Sequence, residues 1–231
     1  MFYFNPMYLV FSLPALLLAL YAQWRVQAAV NKYSQVFTGR GATGARVARA
    51  MLDGYGLNNV QVERTNGFLG DHYDPRNRTL RLSPDVYDTP SVAAVGIAAH
   101  ETGHALQHAE GYWPLQARSL MVPAVQFGSY LGPLVFMLGF FLNFTELAWV
   151  GVLMFGAVAV FALITLPVEF DASRRAKELL AGQGYAWGEE LTGVNRVLDA
   201  AALTYVAGLA QALSTLLYYV FLLTGMRRRS D

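Results

Sequence analysis

Four stretches of about twenty residues contain no Asp, Glu, Lys or Arg, and they decide what this chain can fold into. They cover residues 3–23, 122–142, 147–166 and 201–223. A helix of that length is about 30–35 Å long, enough to cross the hydrocarbon core of a bilayer. One such stretch is compatible with a buried helix of a soluble core, but four in 231 residues are not. The first begins with no basic segment before it, so it is expected to remain as an anchor, not to be cleaved as a signal peptide. Pro6 lies near its start and Pro14 is a site for a kink. The expected fold class is therefore a mainly α membrane protein with four transmembrane helices.

Composition narrows the function. Net charge is +1 and no basic cluster is interleaved with aromatics, which excludes an ordinary nucleic-acid binder. The chain has no Cys, so disulfides, thiolate metal sites and a Cys nucleophile are excluded. A transporter would need charged groups within its spans, and these spans carry none.

Residues 25–120 and 168–200 read as soluble. Trp24 and Arg25 mark the first interface. Thr43–Asp53 is an amphipathic helix with Ala45, Val47, Ala48, Met51 and Leu52 inward, ended by Gly54 and Gly56. Asn59–Glu63 and Thr79–Leu82 alternate in polarity, and Asp74-Pro75-Arg76-Asn77 is a turn, so a small β-hairpin or meander is expected. Next comes a helix from Thr89, as N-cap, with Pro90 first, to about Glu110, where Gly111 and Trp113-Pro114 end it. Pro167 is expected to break the third span. Val168–Ala181 then forms a separate amphipathic helix that stops at Gly182 and Gly184. Trp187–Asp199 is polar and helical and runs on toward the fourth span.

The helix from Thr89 contains His100-Glu101-Thr102-Gly103-His104. Positions four apart share a helix face, so His100 and His104 can bind one metal ion, and Glu101 can reach a water beside it as general base. A catalytic zinc takes three protein ligands and keeps one open position. His108 lies eight residues beyond His100, about 12 Å along the helix, too far for all three His to share one ion. His72 lies in a loop and is a candidate for substrate or secondary contact. Glu169, in Glu-Phe-Asp-Ala-Ser, is the stronger third ligand. Equally, Glu169 and Asp171 could serve only as acidic residues in the first turn of a helix.

The residues Asp71-His72-Tyr73-Asp74-Pro75, Leu80-Arg81-Leu82-Ser83-Pro84, Ala99-His100-Glu101-Thr102-Gly103-His104-Ala105, Leu166-Pro167-Val168-Glu169-Phe170-Asp171-Ala172-Ser173 and Ala201-Ala202-Leu203-Thr204-Tyr205 carry a resemblance. Together they resemble the YugP-type neutral zinc metallopeptidases of bacterial membranes, over essentially the whole chain. The resemblance implies one zinc-dependent domain spanning 1–231. It implies one Zn2+ held by His100, His104 and Glu169, with Glu101 as catalytic base. More distantly the chain is similar to HtpX-type and prenyl-protein membrane metalloproteases, which place an Asp four residues after the ligand Glu. Here that position is Ser173. Asp171 is then expected to hold a ligand His by its other nitrogen. Tyr205 and His72 are candidates for the oxyanion, although an interfacial or packing role suits Tyr205 better. Arg174 and Arg175 read as lipid-facing or structural.

The expected activity is hydrolysis of membrane-associated or unfolded polypeptides, with a non-catalytic protein holding a structural metal as the alternative. Partners are the polypeptide substrate and the lipid bilayer, with room for a second copy or a regulatory membrane protein. The strand at Leu80–Leu82 is a candidate for edge-on substrate binding. Of the 17 Lys and Arg, 14 fall in 25–120 and 168–200, and Arg227, Arg228 and Arg229 make up the rest. Basic loops stay inside, so the site is expected at the cytoplasmic face of the inner membrane. The terminal Arg triplet opposes this, and a re-entrant fourth segment would reconcile the two.

Overall fold

The uncharged stretches fall on long helices in the computed structural model, which describes residues 6–65 and 70–230, with Leu142 just past the end of its helix. The helices are α1 (Pro6–Tyr33), α5 (Trp113–Phe141), α6 (Thr145–Gly182) and α7 (Gly188–Ser230). All four are long and apolar enough to cross a membrane. The start of the first expected span, residues 3–5, lies outside the described residues.

Two expectations about breaks are corrected. Pro167 does not end α6, which runs unbroken from span to polar segment. The proline removes one backbone donor, but Val168 and Glu169 just beyond it are buried, so packing holds the helical path through the defect. Pro14, Pro123 and Pro133 likewise lie inside helices. Nor is the fourth segment re-entrant: α7 is one helix from Gly188 to Ser230.

The chain divides into two units. The membrane unit comprises residues up to 21, 117–166 and 204 onward. Its small core is Phe136, Ala148, Val152 and Leu223, with the Phe136 and Tyr219 rings stacked 4.1 Å apart. Glycine lets α5 and α6 touch by their backbones. A Cβ on Gly139 would lie 2.3 Å from the Ala148 nitrogen, and one on Gly151 2.3 Å from the Phe136 nitrogen. Small residues at such crossings gain dispersion contacts, which drive helix association where lipid removes the hydrophobic force.

The second unit, residues 22–116 and 167–203, is built around α4 (Val92–Ala109). Its N-cap is Ser91, not Thr89: the Ser91 hydroxyl accepts from the Ala94 N–H at 3.2 Å. Just before it, the Pro90 carbonyl accepts from the Thr38 N–H at 2.9 Å. Gly111, at φ +68°, takes the left-handed position past the C-terminus. α4 is buried on most sides, and its alanines let neighbours approach closely. Val92, Val95 and Ala99 pack with Val47 and Met51 of α2 (Gly44–Gly54), Leu180 of α6 and Val194 of α7. Ala94, Ala98 and Ala105 pack with Leu52, Leu80, Leu82 and Val86.

A small sheet is present as expected, but its hairpin includes a strand that alternation did not mark. β2 (His72–Asp74) pairs antiparallel with β3 (Thr79–Leu82) around the Asp74–Asn77 turn. β1 (Gln61–Arg64) adds on the far side of β3 in parallel, so the sheet is mixed, in the order β1-β3-β2. A short helix α3 (Pro84–Tyr87) joins the sheet to α4.

Candidate metal centre

His100 and His104 stand one turn apart on α4, and Glu169 reaches them from α6. Glu169 Oε2 lies 3.2 Å from His100 Nε2 and 3.6 Å from His104 Nε2. One donor atom from each residue lies within 4.8 Å of the others, which places the three to bind one metal ion. Zinc takes nitrogen and oxygen ligands at about 2.0–2.2 Å in a tetrahedron, so its ligands sit roughly 3.4 Å from one another. The set fits that ion in donor type and in spacing.

Gly103 explains how a helix from a distant part of the chain comes so near. A Cβ there would lie 2.7 Å from the Ala172 carbonyl oxygen. The two backbones touch at the centre of the motif, and α6 turns Glu169 to one side of that contact and Ser173 to the other.

The nitrogens turned away from Glu169 are held too. His100 Nδ1 lies 3.1 Å from the Ser173 hydroxyl and His104 Nδ1 3.0 Å from Gln107 Oε1. Ser173 thus holds a ligand histidine from the position four residues after Glu169. Asp171 does not touch a histidine. It accepts from Gln107 Nε2 at 2.9 Å, from Arg175 Nε at 2.6 Å and from Arg174. The reason is helical: two residues beyond Glu169, Asp171 leaves α6 about 200° around the axis. Arg175 also pairs with Glu110 at 2.7 Å, so Arg174 and Arg175 are structural.

Glu101 Oε2 accepts from the Tyr73 N–H at 3.1 Å. Tyr73 in turn places its hydroxyl 2.8 Å from His108 Nδ1. Burial pushes the Glu101 carboxyl above its usual range, against the pull of His104 and His100. Burial acts on Glu169 in the same sense but is outweighed by hydrogen bonds from His100 and His104, which hold it well below the carboxylate range. Burial lowers His104, yet its hydrogen bond to Glu169 and the Glu101 charge raise it overall.

The other expected residues fall elsewhere. His72 is exposed on β2, its Nδ1 donating to the Gly70 carbonyl at 2.9 Å, and it is not among the clustered ligands. Tyr205 lies on α7 in the membrane unit. Reading the sequence missed Gln107. Its signal was its spacing, one turn beyond His104 on the motif helix.

The model of the family described as "putative neutral zinc metallopeptidase" matches residues 8–224. The chain belongs to this zinc metallopeptidase family. It is also 45% identical over 216 residues to the "putative membrane protease YugP" of Bacillus subtilis (strain 168), covering 94% of this chain and 96% of that protein. No solved structure matches it. Family membership and the His100, His104 and Glu169 cluster agree on a single zinc ion.

Proposed function

We propose that the protein is a membrane-embedded zinc endopeptidase whose general base is Glu101. The observation that carries this reading is the placement of Glu101 next to a three-ligand cluster while its carboxylate is held by the amide of an edge strand. Zinc held by His100, His104 and Glu169 supplies Lewis acidity, which acidifies water and polarises a peptide carbonyl. Glu101 takes the proton of the attacking water and delivers it to the leaving amide nitrogen. Ser173 and Gln107 keep the ligand rings oriented.

β3 is the central strand of the sheet, so the substrate backbone adds instead to β2, one of its two outer strands among the described residues. The Tyr73 N–H points from β2 at Glu101, and so the outer edge of that strand faces the base. The substrates are membrane-associated or unfolded polypeptides, since extended chain is what an edge strand can bind. The site lies at the cytoplasmic face of the inner membrane, and residues 1–231 act as one catalytic domain.

The test is Glu101→Gln in purified protein with dye-labelled, denatured casein as substrate. Zinc content should stay at the wild-type level, while hydrolysis falls about 10²–10⁴-fold. Wild-type protein that holds zinc but cleaves nothing, alone or in membranes, would favour a structural metal instead.

A further inference from the structure

The partners of Gln107 leave its amide one orientation. The side chain is fully buried. Its Nε2 lies 2.8 Å from the Val168 carbonyl and 2.9 Å from Asp171 Oδ2. A carbonyl only accepts, and so does a carboxylate paired with two arginines. The NH2 group must face them, and both of its hydrogens are used. Oε1 is left facing His104 Nδ1 at 3.0 Å, and an amide oxygen also only accepts. The proton between them therefore belongs to His104 Nδ1. The other ring nitrogen, Nε2, is the one that points at Glu169.

We propose that Gln107 is a positioning residue of the metal centre: it fixes the ring and the tautomer of His104, so that Nε2 presents its lone pair to the ion. Asp171 acts through Gln107 and is itself held by Arg174 and Arg175. The inference rests on the zinc reading above. His100 has a weaker guide. The Ser173 hydroxyl can donate or accept, so it orients the ring without dictating where the proton sits. Gln107 dictates it, because both hydrogens of its amide are already committed and only its oxygen faces the ring.

The test uses full-length protein in detergent micelles and zinc itself as the probe. Zinc affinity is measured by competition with a chromophoric chelator for wild type, Gln107→Met and Leu180→Ala. Methionine keeps the volume and removes the acceptor. Leu180, buried in the core away from the ligands, reports general destabilisation. Gln107→Met should weaken zinc binding by about 10–100-fold, with Leu180→Ala unchanged. Zinc binding by Gln107→Met as tight as wild type, or an equal loss in Leu180→Ala, overturns the inference and leaves the zinc reading standing. Wild-type protein that binds no zinc overturns both. Nitrogen-15 spectra of the histidines in zinc-loaded wild type give a readout that needs no variant. A proton on His104 Nδ1 is expected, and a proton on Nε2 with zinc at Nδ1 sinks the proposal even if Gln107→Met does not fold.

Discussion

Ser173 and Gln107 hold the two ligand histidines on the side away from Glu169. Ser173 places a buried neutral hydroxyl 3.1 Å from His100 Nδ1. Neither Ser173 nor Gln107 brings a charge, so both ligand imidazoles have uncharged hydrogen-bond partners on the side away from the ion. A metal-ligand histidine that loses such a partner loses orientation and basicity, and with them typically about tenfold or more in metal affinity. Ser173→Ala should therefore weaken zinc binding about tenfold, less than Gln107→Met, as read by the same chelator competition. Equal affinities for Ser173→Ala and wild type would reduce the hydroxyl to a packing group. The motif made His100, Glu101 and His104 legible in the sequence, because spacing of four on a helix is a local property. The hydrogen-bond partner of His100 was not legible. It comes from 73 residues away on α6.

At the scale of elements, the site exists because α4 and α6 touch at Gly103. The Ala172 carbonyl occupies the space a side chain would need. Gly103→Ala must push the helices apart or bend one of them. Overpacking of this kind costs about 1–3 kcal/mol, and here it also moves Glu169 away from the two histidines. Thermal unfolding of the metal-free protein should show the stability loss. Zinc titration should show a second, separate loss of affinity. A variant with lowered stability and unchanged affinity would mean that α6 can shift without moving its ligand. The sheet was read from the sequence only in part. Polarity alternation located β3, most of β1 and the turn after β2. The parallel pairing of β1 with β3 joins segments that no tight turn connects, so local pattern could not reveal it. Pro167 misled for a related reason. A proline's local cost is legible in sequence, but the packing of Val168 and Glu169 that overrides it is not.

For the molecule as a whole, the proposed reading predicts which face of the membrane holds the site. The proposed cytoplasmic placement rests on charge: residues 25–120 and 168–200 carry 14 of the 17 Lys and Arg, and the terminal triplet carries the other three. The chain has no Cys, which makes the test direct. A single cysteine at Asn143, in the turn between α5 and α6, should react with a membrane-impermeant thiol reagent in intact cells. One at Gln183, past the end of α6, should react only after permeabilisation. The reverse pattern would put the site outside.

By itself the sequence determined the class of the molecule and its chemistry. Uncharged runs of bilayer length and a His-x-x-x-His spacing are one-dimensional signals, and the physics that interprets them acts along a single helix. It also named Glu169 as one of two readings of an acidic first turn. The tertiary structure favours the ligand reading, because the close crossing at Gly103 brings that carboxylate to the imidazoles. It decided that Gln107 and Ser173, not Asp171, hold the two histidines. Hydrogen bonds of this kind depend on angle and on distances of about 3 Å, and those are set by how helices pack, which no stretch of sequence contains alone.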